Sequence, residues 1–287
     1  MIFLFTFYAL LRKETTRFWS IVGTILVTYS PLMIEHSTVA YTNLSYSVFL
    51  ILGIMYFWRS LKTDGTRSEA SIGFFFVSAS LWVRLSEPFW LVGIVLLGFF
   101  GYRKKDWLFS IVASLGLLFA RRSWSFLVKY IIRGTEIVAE NDVQTVVETP
   151  KTILQHIQTY VPLHYFAALL VPLSIHFQHI QQVISYLLAY VWPLFNYIFI
   201  PWLLITWYDI KKKNFYRLFC INGTIIGILA TIFAGTYVFS FFFETWDQIG
   251  GSATRMSMFI VPLIWYYLMS SQIWIEIQNT YVKKNRN

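Results

Sequence analysis

Four small patches of charge stand against apolar surroundings. They are Arg84 and Glu87 within Val83-Arg84-Leu85-Ser86-Glu87-Pro88, the pair Glu35-His36, the pair Arg121-Arg122, and Arg255. Charges beside long apolar runs are costly to hold there, so each needs a reason. Carboxylates such as Glu35 and Glu87 can take a proton from a hydroxyl or help hold a divalent cation, with His36 as a candidate nitrogen ligand. Arginines grip phosphate through paired N–H donors. Each patch also has a plainer reading. Arg84 and Glu87 suit a turn at headgroup level, because Pro88 cannot continue a helix. Glu35-His36 suits an ordinary loop, and Arg121-Arg122 a lipid headgroup contact. Arg255 opens a helix, where the macrodipole disfavours a cation.

The elements that must position these groups are membrane helices. The chain is 57% hydrophobic and 20% aromatic, and only 13% charged, with mean hydropathy +0.57; a soluble domain carries about 25% charge. The expected fold class is all-α, a polytopic membrane helical bundle. Apolar runs at residues 18–34, 44–58, 72–83, 89–102, 107–120, 183–207, 218–243 and 256–275 give eight full spans, and residues 1–11 a partial N-terminal one. Pro193 and Pro201 are expected to kink the run at 183–207. The chain reads as one membrane domain, 1–287, with N-terminal spans at 1–123, an extracytoplasmic and interfacial region at 124–182 and C-terminal spans at 183–287. Thr149-Pro150 starts an amphipathic interfacial helix, on which Ile153, Leu154, Ile157, Tyr160 and Val161 recur at helical spacing. Residues 165–176, short and containing Pro172, read as interfacial or re-entrant.

Charge bias orients this layout. The loops beginning at Arg12, Arg59, Arg103, Lys211 and Lys283 hold 16 of the 23 Lys and Arg residues and 6 of the 14 Asp and Glu residues, a net of +10. The opposite side holds 7 basic and 8 acidic residues, a net of −1. The positive-inside rule makes the first side and the C-terminus cytoplasmic, in the cell membrane. All four charged patches then share the extracytoplasmic face. The overall charge of +9 is accounted for by topology, so no nucleic-acid partner is expected.

Cys220 is the one cysteine, which excludes a disulfide framework and a cysteine-based metal site. No Walker-type loop, GxGxxG or HExxH pattern occurs. His156, His164, His176 and His179 cluster near the interfacial region without ligand spacing. What remains is carboxylates and arginines on one membrane face, the equipment that a lipid-linked phosphate donor would need.

Three patches resemble the GT-C superfamily of integral-membrane glycosyltransferases, in particular bacterial protein mannosyltransferases and aminoarabinose transferases. Ser30-Pro31 followed by Tyr41-Thr42-Asn43-Leu44 is similar to the family's proline-ended helix and Tyr-Ala-Asp-Leu-Pro entry. Val83-Arg84-Leu85-Ser86-Glu87-Pro88 is similar to its Thr-Arg/Lys-x-Glu-Gly junction, and Gly251-Ser252-Ala253-Thr254-Arg255 with Pro262 to its late Ser-x-x-Arg…Pro helix start. Arg122-Ser123-Trp124 resembles its Pro-Trp segment. The resemblance implies transfer of a sugar from a polyprenyl-phosphate-linked donor to an acceptor on the extracytoplasmic face, with membrane lipid as a partner. It makes Arg255, Arg121 and Arg122 donor-phosphate candidates. Arg84 joins them on the same face, Glu35 and Glu87 are catalytic candidates, and a divalent metal is a candidate cofactor. The sequence departs from the family pattern at Asn43, where the family has Asp, and at Pro88, where it has Gly. The family's catalytic acid lies in a loop before any counterpart here, which gives the expectation of an N-terminally truncated, incomplete or inactive relative. Two rival classes remain: a transporter or flippase for a lipid-linked or anionic solute, and a non-catalytic membrane assembly subunit.

Overall fold

The computed structural model describes residues 2–38, 42–83, 88–126, 173–239 and 256–284. Among these residues every regular element is helical and no strand occurs. The N-terminal part contains α1 (Ile2–Arg12), α2 (Arg17–Thr28), α3 (Pro31–Thr38), α4 (Thr42–Ser60), α5 (Arg67–Val83), a single 3₁₀ turn (Pro88–Trp90), α6 (Leu91–Lys104) and α7 (Trp107–Phe126). The C-terminal part contains α8 (Leu173–Tyr186), a π-helical turn (Leu187–Val191), α9 (Trp192–Lys211), a second π-helical turn (Tyr216–Asn222), α10 (Gly223–Phe239), α11 (Ile260–Met269) and α12 (Ile273–Lys284).

Local chemistry sets several boundaries. Thr66 and Glu69 form a reciprocal capping box at the start of α5. The Glu69 amide donates to Thr66 Oγ1 and the Thr66 amide to Glu69 Oε2, each at 3.2 Å. Asp106 accepts from the Phe109 amide at 3.3 Å and caps α7. Lys105, between α6 and α7, adopts φ 57°, the left-handed conformation that reverses the chain. Pro31 sits at the first position of α3, and α2 ends before it.

The bundle is built around α11. All ten of its residues are buried, the pattern of a helix apolar on every side. It packs against α2, α4, α9 and α10. Phe7 and Trp58 lie 6.3 and 5.8 Å from the ring of Tyr266. Trp58 Nε1 reaches Thr224 Oγ1 at 3.3 Å and ties α4 to α10. The tightest crossing is α4 on α5, at Gly53 and Gly73. A Cβ on Gly53 would lie 2.5 Å from Val77 Cγ2 and 3.0 Å from the Gly73 carbonyl. Only the missing side chains let the two backbones approach this closely.

The expectation of eight full spans is not supported. Among the described residues, two helical stretches are long and apolar enough to cross a membrane, Tyr216–Tyr237 and Ile260–Thr280. A third arises if His176–Val191 and Phe195–Lys211, bent by 102° from each other, form one span. For several of the runs the reason is length, and for α7, 20 residues long, it is the polar end at Arg121 and Arg122. At about 1.5 Å per residue a helix needs about 20 residues to cross, whereas α1 has 11, α2 has 12 and α6 has 14. The run at 18–34 is divided by Pro31, and α2 stops at Thr28. The bend in the run at 183–207 falls between Val191 and Phe195, at the kink expected of Pro193, while Pro201 is carried inside α9. The amphipathic helix expected after Thr149-Pro150, and the segment at 165–172, lie outside the described residues.

Candidate functional site

Of the residues singled out by sequence, Arg84, Glu87 and Arg255 lie outside the described residues. Glu35 and His36 fall within α3, and their side chains are likewise outside the described set. Arg121 and Arg122 stand near the end of α7, both exposed. The Arg121 guanidinium lies 5.0 Å above the ring centroid of Trp90, three residues beyond Glu87. The described neighbours of the other patches meet close by. The Phe259 ring, four residues after Arg255, lies 5.2 Å from Phe89 and 5.3 Å from Tyr46. Trp90 itself is buried, and its indole N–H has no hydrogen-bond partner among the described residues. Among those residues no group of three His, Cys, Asp or Glu side chains is placed to hold a metal ion.

Beside this end of the bundle lies an apolar cavity of about 190 Å³. It occupies the elbow of the bent pair. Leu187, Val191 and Phe195 line it on one side, Ile232 of α10 and Ile260 of α11 on another, and Ser257 is its one polar lining residue. The elbow falls between Val191 and Phe195, just after the π turn and at Pro193, whose ring and missing N–H interrupt the helical ladder. An apolar lining of this kind offers water few hydrogen-bond partners. Next to it Trp202 Nε1 donates to Asn222 Oδ1 at 2.7 Å, pinning α9 to the second π turn.

The opposite end carries a charged cluster that sequence reasoning passed over. Arg217, in the second π turn, is buried with Asp209 of α9. Its Nε donates to Asp209 Oδ2 at 2.8 Å and its Nη1 to Ser270 Oγ at 2.7 Å, and its Nη2 donates to the Tyr267 carbonyl. The Tyr267 hydroxyl donates to the same Asp209 oxygen at 2.7 Å. Alongside, Lys62 pairs with Glu14, Arg59 pairs in bidentate fashion with Asp64, and Lys13 reaches Glu69 at 3.2 Å. Lys104 donates to the carbonyls of Lys62 and Thr63, and the Arg103 guanidinium lies 5.5 Å from the Tyr216 ring. The Arg59 guanidinium holds the Asp64 carboxyl down to about 2. Burial, then the Arg217 charge, pushes the Lys62 ammonium down to about 8. The loops beginning at Arg12, Arg59, Arg103 and Lys211 thus interlock as one plate. Glu14 between Lys13 and Arg17, and Asp209 just before the triple lysine, are the sequence signals for it: single acids embedded among cations. These pairings tie helix ends to one another, although the buried Arg59 Nε has no hydrogen-bond partner among the described residues and stands 3.5 Å from Glu69 Oε1.

No protein-family model matches this chain, and neither a curated protein nor a solved structure does.

Proposed function

We propose that the chain is a membrane-embedded helical protein of the cell membrane, C-terminus cytoplasmic, that engages a polyprenyl-phosphate-linked sugar and transfers the sugar to an acceptor on the extracytoplasmic face. The observation that carries the reading is the apolar cavity between α9, α10 and α11. Its lining suits a hydrocarbon chain, and its one polar residue, Ser257, is two residues from Arg255. A chain seated there would present its phosphate near Ser257, two residues along the sequence from Arg255, with Arg121 and Arg122 at the same end of the bundle. Transfer would then proceed as a displacement at the anomeric carbon, with arginines holding the departing phosphate.

Two readouts test this. A photoactivatable polyprenyl phosphate in membranes should label the cavity wall, and Ile232→Trp, which fills the chamber, should remove that labelling. This readout needs no turnover. Labelling unaffected by Ile232→Trp would refute the cavity as the lipid site. In a transfer assay, Arg255→Ala should abolish sugar transfer and leave membrane insertion intact; unchanged transfer removes Arg255 from the role.

One observation favours a second reading, a flippase for the same class of lipid. Transporters commonly build their sites from discontinuous helices, and here two π turns and a 102° bend interrupt the C-terminal helices. Movement of a labelled polyprenyl phosphate between the leaflets of reconstituted vesicles, without sugar transfer, would select it.

A further inference from the structure

Among the described residues two that are not glycine have a positive φ, Lys105 at 57° and Lys213 at 52°. They hold equivalent places. Lys105 lies in the turn from α6 to α7, and Lys213 in the turn from α9 to the second π turn. At Lys213 the Asn214 amide donates to the Asp209 carbonyl and the Lys213 amide to the Ile210 carbonyl, each at 3.0 Å. Those are the two bonds of a Schellman motif, and Lys213 fills its left-handed position, where glycine is the usual residue. Glycine takes this backbone at no steric cost, whereas a residue with a Cβ is strained in it. Both turns forgo that advantage and keep a cation at the tip. Strain retained at an exposed turn points to a role for the side chain.

The surroundings of the two lysines match. Residues 103–106 hold three cations and Asp106, and residues 209–213 hold three cations and Asp209. The acids are engaged elsewhere. Asp106 caps α7 and lies 3.6 Å from Arg67, and Asp209 is buried against Arg217. Glu276 takes Lys212 at 2.9 Å. Lys105, Lys211 and Lys213 are exposed and have no carboxylate partner among the described residues. Exposed aromatic rings flank both tips, Tyr102 and Trp107 around Lys105, Trp207 and Phe215 around Lys213. The Lys211 ammonium stands 5.3 Å from the centroid of the Trp207 ring. The two turns meet where the Arg103 guanidinium lies 5.5 Å from the Tyr216 ring.

Exposed cations of this kind call for an anionic partner. A small soluble anion would leave the four rings in water. The headgroup layer of an anionic bilayer takes both parts: the ammonium groups meet lipid phosphates, and the rings sit at the boundary with hydrocarbon. Both turns border the charged plate, on the side that charge bias makes cytoplasmic.

We propose that the adjoining turns carrying Lys105 and Lys213 form a docking surface for the anionic phospholipid headgroups of the leaflet beside the charged plate. This rests on the membrane reading above and is independent of sugar transfer. The test uses the full chain in vesicles of equal parts phosphatidylcholine and phosphatidylglycerol, with a trace of each lipid carrying the same photoactivatable group beside its headgroup. Label is mapped to residues 102–108 and 207–216. One lysine near an anionic surface is worth about fivefold in partitioning, so the label should favour phosphatidylglycerol by about tenfold or more at both turns. The double variant Lys105→Gly/Lys213→Gly should lower that preference by roughly fivefold or more. Its melting temperature in detergent should stay equal or rise, because glycine relieves the backbone. Lys105→Arg/Lys213→Arg should keep the preference. Equal labelling by the two lipids, or a preference unchanged in the glycine variant, overturns the docking surface and leaves the membrane reading standing. A lower melting temperature in the glycine variant makes the lysines structural and overturns it as well. Loss of the preference to inorganic phosphate at constant ionic strength assigns the turns to a soluble anion instead. Labelling of these segments by neither lipid overturns the membrane level on which the proposal rests.

Discussion

Replacing Arg217 with methionine keeps most of the side chain's length and apolar bulk while removing its charge and its donors. The consequence follows from what stays behind. Asp209 is 1% exposed, and its Oδ2 accepts from Arg217 at 2.8 Å and from the Tyr267 hydroxyl at 2.7 Å. Without the guanidinium, the carboxylate keeps one neutral donor and no counter-charge, and the Tyr267 carbonyl loses a buried donor. Breaking one side of a buried ion pair costs about 3–5 kcal/mol. For a chain of this size that is a fall in melting temperature of roughly 10 °C, read by thermal unfolding of the detergent-solubilised protein. The pair is isolated by a double-mutant cycle. Asp209→Asn should be strongly destabilising on its own and much less so when added to Arg217→Met, because the stranded charge is already gone. A coupling of about 1–3 kcal/mol is expected. Additivity to within about 0.5 kcal/mol, or a cost below about 1 kcal/mol for Arg217→Met alone, would refute the clamp.

Gly53→Leu should loosen the α4–α5 crossing by about 1–3 kcal/mol, because its Cβ meets Val77 and the Gly73 carbonyl; retained thermal stability would show that the helices can separate at no cost. Asp64 has its carboxyl held at about 2 against an ordinary 3.8. Its stabilising contribution is therefore complete above about pH 4 and lost as the pH falls toward 2. The side chain is 67% exposed, so the effect is under about 1 kcal/mol. A stability profile over that range should flatten in Asp64→Asn, and an unchanged slope would count against the pair with Arg59. Reporter fusions after Thr63 and after Glu140 should report cytoplasmic and extracytoplasmic locations respectively; a cytoplasmic signal at Glu140 would invert the proposed face.

Helical character was legible from composition alone, because runs of Phe, Leu, Ile and Trp with so little charge leave few other ways to satisfy a backbone in lipid. The number of spans was not legible. Apolar runs such as residues 18–34 look continuous on a hydropathy scale, yet Ser30-Pro31 divides that run into helices too short to cross. The sites divide in the same way. Arg121 stood out because it breaks the charge bias, and the structure sets it over Trp90. Asp209 beside the triple lysine was a signal of a paired acid, but nothing in the sequence pointed to Arg217 as its partner. Their pairing depends on the second π turn, which aims Arg217 back at α9 and is invisible in apolar periodicity. The cavity was hidden for a related reason. Its lining, from Leu187 to Ile264, is made of residue types that lipid-facing surfaces also use, and only the 102° bend separates the two uses.

The enclosure of α11 bears on how the molecule is made. In its final place α11 has no exposed side, since all ten of its residues are buried. Its neighbours α2, α4, α9 and α10 all precede it in synthesis. In the finished structure those helices surround Ile260–Met269, with Trp58 of α4 packed on Tyr266. Assembly therefore ends with a keystone step: the earlier helices must part to admit α11 and then close on it. A nascent chain arrested before residue 260 should therefore remain open and sensitive to protease.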